Sequence, residues 1–142
     1  MAHAPLSTTR IRATFLALVL AQTAHSVEEY LGRLWESFPP AAFVTGLIAG
    51  DREVGFLVLN SALVLFGLWC FTVPVRRAWP SAAGLMRLWV VIEMINGIGH
   101  PMWTLARRSY TPGVLTAPLL LVLACYLALQ LRRARSPVAK TA

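Results

Sequence analysis

Two short runs in this chain hold residue types that do chemistry in apolar surroundings. His25-Ser26-Val27-Glu28-Glu29 sets carboxylates three and four residues after an imidazole, so on a helix His25 shares a face with either of them. Glu93-Met94-Ile95-Asn96-Gly97-Ile98-Gly99-His100 sets Glu93, Asn96 and His100 at i, i+3 and i+7, again along one helix face. Gly97 and Gly99 strip bulk from beside that face, which would let a neighbouring helix or a substrate approach the backbone. Two imidazoles and two or three carboxylates are suitable ligands for a divalent metal, either zinc or a pair of iron or manganese ions. The candidate ligand set is His25, Glu28, Glu93 and His100. The spacing limits this reading, because HxxEE is neither the HExxH of zinc proteases nor the ExxH of di-iron bundles.

The same groups also fit metal-free acid/base work. A carboxyl group in a low-dielectric pocket tends to hold its proton, whereas one beside an imidazolium tends to lose it, so one donor and one acceptor could be prepared. Carboxylates can further stabilise a carbocation in an apolar cavity, which suits isomerisation or cyclisation of lipids. His25, Glu28, Glu29, Glu93 and His100 are the candidate catalytic residues, and Asn60, Asn96, Tyr110 and Thr116 the candidate substrate-binding ones. A structural reading stands beside both, with His25 paired to Glu93 or Glu29 and His100 to Glu28 only to satisfy buried polar groups. Adjacent glutamates point about 100° apart on a helix, so Glu28 and Glu29 can hardly face one ligand together. Glu29 could instead face the headgroups with Tyr30. Asn60 with Ser61 reads more simply as an interhelical hydrogen-bond pair, and Tyr110-Thr111-Pro112-Gly113 as a turn and helix start.

The elements that must position these groups are helices in a membrane. Hydrophobic residues are 57% of the chain and charged ones 13%, against roughly 45–50% and about 25% in soluble domains. Apolar runs extend over 11–33, 54–75, 82–104 and 113–132, each near the ~20 residues that cross a bilayer. The first run has Arg10 and Arg12 in front and small residues near Ala24, like a signal peptide, but its helical pattern continues through Val27, Tyr30, Leu31 and Leu34. Ala41 to Gly50 reads as a short interfacial segment. The expected fold is an all-α, four-helix transmembrane bundle in one domain, with antiparallel neighbours joined by short connections.

The net charge of +7 does not point to nucleic acid, because the basic residues sit at the ends of apolar runs rather than in a solvent-facing stripe. Arg10, Arg12, Arg76, Arg77, Arg132, Arg133, Arg135 and Lys140 fall on one side, Arg33, Arg52, Arg107 and Arg108 on the other. The positive-inside rule then puts both termini in the cytoplasm, as for a multi-pass inner-membrane protein. In that topology the first and third helices run the same way and bring their His and Glu residues to similar depth. Asn60 on the second helix and Tyr110 and Thr116 by the fourth converge on the same outer half. Cys70 and Cys125 read as small buried hydrophobes. No GxGxxG, GxxxxGK or GxSxG is present, so a nucleotide or flavin cofactor is not expected. The expected partners are membrane lipids and a hydrophobic small molecule, with a homo-oligomer compatible with the chain's size. The function these readings support is a small membrane enzyme on a lipid- or isoprenoid-like substrate; a non-enzymatic carrier whose buried pairs relay protons is the alternative.

His25-Ser26-Val27-Glu28-Glu29, Asn96-Gly97-Ile98-Gly99-His100 and Pro112-Gly113-Val114-Leu115-Thr116, taken together, resemble the HXXEE domain family of small bacterial membrane proteins. The resemblance covers roughly residues 12 to 131. It implies that His25, Glu28, Glu29, Asn96, His100, Pro112, Gly113 and Thr116 belong to the family's site, and it implies no reaction. A looser similarity, in helix count and inward Glu and His, exists to emopamil-binding sterol isomerases and membrane-bound terpene cyclases, at the level of fold analogy.

Overall fold

The computed structural model describes residues 8–135, all helices and turns with no strand among them. The polar lead before Thr8 and Lys140 lie outside the described residues. Six helices follow one another: α1 (Thr8–Leu31), α2 (Leu34–Ser37), α3 (Pro39–Ile48), α4 (Arg52–Cys70), α5 (Ala82–Arg107) and α6 (Ala117–Arg135). Three stretches are long and apolar enough to cross a membrane: Arg52–Val75, Ala82–Arg107 and Ala117–Ala134. At 24 residues, α1 spans about 36 Å and is long enough as well. It carries Arg10, Arg12, Glu28 and Glu29, and so is less apolar than the other three.

Local chemistry sets the breaks. Phe38 is extended because the residue before a proline is pushed out of the helical region, and Pro39 and Pro40 then open α3 where their missing N–H groups cost nothing. Asp51 caps α4, its side chain accepting from the Glu53 and Val54 amides at 2.8 and 3.4 Å. At the far end of α4 the chain widens into a π-helical turn over Phe71–Val75 around Pro74, where the Arg76 amide donates to the Phe71 carbonyl at 3.0 Å. The segment expected at Ala41 to Gly50 is helix α3, preceded by the one-turn α2, and the fourth long helix begins at Ala117 rather than at Gly113.

The core has two parts. Phe15, Leu18, Val19, Cys70, Trp89, Leu120, Ala124 and Leu127 form the larger one between α1, α4, α5 and α6. α5 packs on α6, and a Cβ at Gly97 would lie 2.6 Å from Leu121 Cβ, so no larger residue allows that approach. The smaller cluster is aromatic. Trp35 stacks on Phe56 at 5.0 Å and Phe38 on Trp103 at 4.6 Å, which fastens α2 and α3 across α4 and α5. Trp35 is buried there. The polar residues of α1 and α5 lie between these two clusters.

Candidate functional site

α1 turns Gln22, His25, Ser26 and Glu29 inward, and α5 turns Glu93 and His100 inward. Glu29 is 7% exposed, whereas Glu28 is half-buried on the adjacent face; the two glutamates of the motif therefore point at different neighbours. Glu29 Oε1 lies 3.4 Å from His25 Nε2 and 3.2 Å from His100 Nε2. The rings of His25 and His100 meet edge to face at 4.7 Å between centroids.

The outer nitrogens of both rings decide what the inner ones can do. His100 Nδ1 sits 2.7 Å from the Pro112 carbonyl oxygen, which can only accept, so Nδ1 carries a proton. His25 Nδ1 sits 2.7 Å from Thr116 Oγ1. That hydroxyl has one proton, and its 2.6 Å bond to Glu28 Oε2 claims it, as the short charge-assisted bond is the stronger. His25 Nδ1 is then also the donor. With Nδ1 protonated on both rings, a neutral imidazole presents a bare lone pair at Nε2, and both lone pairs face the same carboxylate oxygen. His25 Nε2 is buried and has no hydrogen-bond partner among the described residues.

Lone pairs against a carboxylate need a positive charge between them. Protonating both rings would put two imidazoliums in contact in a buried site, and protonating one leaves the other nitrogen orphaned. A single divalent cation could serve all three groups, the ligand atoms, within 4.8 Å of one another, drawing together around it. Ligand atoms about 2.0–2.1 Å from a tetrahedral zinc stand about 3.3 Å apart, close to the two N–O separations observed here. His25, Glu29 and His100 are the described residues that could share one ion, their ligand atoms lying within 4.8 Å of one another. Each histidine gives its second nitrogen to a fixed acceptor, as metal-bound imidazoles do.

Glu28 holds the frame around this group. Its Oε1 accepts from Tyr110 Oη (3.1 Å) and the Leu115 amide (3.0 Å), and its Oε2 from the Thr116 amide (2.9 Å) and hydroxyl. The turn from Thr111 to Thr116 is thereby tied to α1 just before α6 begins. Burial, and then the bond to Glu28, raises the Tyr110 phenol above its ordinary pKa, which keeps it a donor. Gly113 is the point of closest approach. It has φ of +91°, and a Cβ there would lie 2.6 Å from His100 Cε1 and Nδ1 and 2.8 Å from His25 Cε1. Glycine is required on both counts.

The three sequence motifs thus close into one network. Residues 16–128 match a family described as proteins of unknown function with an HXXEE motif. The chain belongs to the HXXEE family. Comparison with curated proteins and with solved structures finds no match.

A second polar group of this HXXEE protein lies apart from the histidines. Glu93 is fully buried. Asn96 Nδ2 donates to it at 3.3 Å, and the Gln22 amide faces it. With the Gln22 nitrogen turned toward the carboxylate, it donates to Glu93 Oε2 at 2.8 Å and Oε1 at 3.1 Å. Which end of that amide faces Glu93 is an assignment tied to protonation: a carboxylate needs the nitrogen, a carboxylic acid can donate to the oxygen. Ser26 Oγ, beside the other end of Gln22, donates to Asn60 Oδ1 at 2.8 Å.

The structure therefore brings His25, Glu29 and His100 together. Glu28 stands one layer outside them and Glu93 in the neighbouring group, so neither is placed with the histidines as an ion ligand. Thr116 touches both His25 and Glu28, Tyr110 touches Glu28, Asn96 touches Glu93, and Asn60 touches Ser26. Sequence reasoning overlooked Gln22, although a glutamine inside an apolar run one turn before His25 is a usable signal. The Pro112 carbonyl could not have been found, because backbone groups leave no trace in residue type.

Proposed function

We propose that this protein is a small integral membrane metalloenzyme acting on a hydrophobic, lipid- or isoprenoid-like substrate. Its metal ligands are His25, Glu29 and His100. The observation that carries the reading is the convergence of two imidazoles, Nε2 first, on one buried carboxylate oxygen, with the Nδ1 atoms turned to the Thr116 hydroxyl and the Pro112 carbonyl. Three protein ligands leave a position open, which suits zinc with a bound water or a two-histidine, one-carboxylate iron site. When bound, such an ion supplies an activated water or polarises a substrate oxygen. The chain's own residues fix the ligands: Pro112 and Thr116 set the two tautomers, and Glu28 holds the turn that carries both.

The substrate class is supported by the surroundings. A groove of about 470 Å³ runs between α1 and α4, its apolar walls including Phe56, Leu57 and Leu65 and its polar floor Ser26 and Asn60. An apolar chain fits the walls, and a hydroxyl or headgroup fits the floor. In the arrangement we propose, α1, α4, α5 and α6 form a four-helix transmembrane bundle with antiparallel neighbours. Both termini lie on the cytoplasmic side of the inner membrane, lipids surround the bundle, and a homo-oligomer is compatible with it.

Elemental analysis of detergent-purified protein tests this directly. One zinc, iron or manganese per chain is expected in the wild type and in Glu93→Gln, with loss in His25→Ala and His100→Ala. Metal-free wild type after supplemented expression refutes the centre. A screen of isoprenoid substrates with the metal-loaded protein then tests the activity.

A proton-relaying carrier is the second reading, favoured by the buried Glu93, whose hydrogen-bond partners among the described residues are the Asn96 and Gln22 amides. Intramembrane carboxyl groups of this kind mark proton paths. Proton-dependent uptake in proteoliposomes, abolished by Glu93→Gln and indifferent to chelation, would select it over the enzyme.

A further inference from the structure

All the basic residues near one end of the helices lack acidic counterparts. Arg10 and Arg12 open α1, Arg76 and Arg77 follow the π turn, Arg87 lies near the start of α5, and Arg132 and Arg133 close α6. Of the six acidic residues in the chain, Glu28, Glu29, Glu36, Asp51 and Glu53 belong to the other ends of α1 and α4 and the segment between them. The sixth, Glu93, is occupied by Asn96 and Gln22.

Arg87 is the unusual member. It is five residues into α5, so about 7–8 Å inside a helix apolar enough to span the bilayer. It is half-buried, and among the described residues it has no ion pair. A guanidinium at such a depth is costly without an anion beside it. Arg87 lines a cavity of about 160 Å³ between α5 and α6, whose other walls are Val90, Ala128, Leu131 and Arg132. Two arginines and three aliphatic residues thus line one small cleft.

We infer that the Arg87–Arg132 cleft is a binding site for an anionic phospholipid, with the phosphate bridging the two arginines and the start of an acyl chain against Val90, Ala128 and Leu131. Guanidinium forks match phosphate oxygens in pairs, and basic clefts between transmembrane helices are a recognised seat for anionic headgroups. Charge complementarity selects the occupant, because no carboxylate of the described chain is free at this end. The cavity is too small for a whole lipid, so the rest of the acyl chains lies along the outer surface, where Leu88, Val91 and Leu129 are exposed. The site is independent of the His25–Glu29–His100 group and of any activity there.

The test uses full-length, delipidated protein in neutral detergent, titrated with phosphatidylglycerol or phosphatidylcholine and read by native mass spectrometry. One phosphatidylglycerol per chain is expected to be retained at least tenfold more tightly than phosphatidylcholine. Arg87→Gln and Arg132→Gln should each reduce that preference tenfold or more, while Arg76→Gln keeps it. Arg132 is exposed, so its variant guards against a folding defect in the Arg87 one; unchanged helicity by circular dichroism completes the control. Equal retention in Arg87→Gln and wild type, or no preference in the wild type, overturns the inference. Displacement of the lipid by millimolar inorganic phosphate would assign the cleft to a free anion and overturn the lipid assignment.

Discussion

Glu28 and Glu29 are neighbours in one motif, and the structure gives them opposite roles that two substitutions can separate. Glu28→Gln leaves one acceptor oxygen where two oxygens now receive four hydrogen bonds. The new amide nitrogen must face either the Tyr110 and Leu115 donors or the two Thr116 donors; the hydroxyl of that pair can turn to accept from it but the backbone N–H cannot, so one bond is lost and three no longer meet a charge. At about 1.5 kcal/mol for the lost bond and roughly 0.5 kcal/mol for each of the three that no longer meet a charge, the loss is about 3 kcal/mol of stability with or without metal. Metal affinity should fall about 10–100-fold, as when an outer support of a ligand is removed. Glu29→Gln should behave differently. It removes a ligand, and stoichiometric metal should disappear. In the metal-free protein, however, the new amide N–H can donate to the Nε2 lone pairs of His25 or His100, 3.4 and 3.2 Å from the present oxygen. Metal-free Glu29→Gln should therefore unfold at the same temperature as chelated wild type or higher. The assay pairs metal content per chain with thermal unfolding in detergent, with and without chelator. Full metal occupancy in Glu29→Gln, or unchanged stability in Glu28→Gln, would refute the assignment of the two glutamates.

Gly113→Ala should lose metal and about 2 kcal/mol or more of stability, since φ of +91° is strained for alanine and its methyl would meet both imidazoles; thermal unfolding and elemental analysis check both. Thr116→Val removes the acceptor of the His25 Nδ1 proton and one bond to Glu28, and should weaken zinc binding about 10–100-fold in a competitive chelator titration. Wild-type metal should be released on acidification and rebound on return to neutral pH, because Nε2 of each ring must be unprotonated to bind an ion; dialysis at stepped pH with metal analysis follows it. Metal content that is flat from neutral to strongly acidic pH would contradict a two-histidine centre.

The long helices were legible from their apolar runs, and the inward faces of His25, Glu93 and His100 from helical spacing, whereas Glu29, offered to the headgroups as an alternative, is buried. Family membership was legible from three motifs in order. What spacing could not give was depth. Glu93 and His100 share a face of α5, but seven residues are about 10.5 Å of rise, further than one ion reaches between ligands. Glu93 therefore falls to the Gln22–Asn96 group instead. Nor could spacing choose between Glu28 and Glu29, because the choice depends on where the turn before α6 lies. That position is set by backbone groups at Pro112, Leu115 and Thr116. The α2–α3 pair was hidden by its shortness, and the π turn by Pro74, which reads as a simple helix end. Arg87 was overlooked because the topology argument weighed only residues at the ends of the runs.

The contacts of α1 also bear on how the chain is made. Gln22, His25, Glu28 and Glu29 find their partners among residues 93 to 116, while Ser26 finds Asn60. During synthesis α1 emerges before α4, α5 and α6, and the partners of most of its polar groups are not yet made until the ribosome has passed Thr116. α1 is also less apolar than the three helices that qualify as membrane spans. Of the four long helices the earliest made is thus the least apolar, and the partners of its buried polar groups are made only with α5 and the turn before α6.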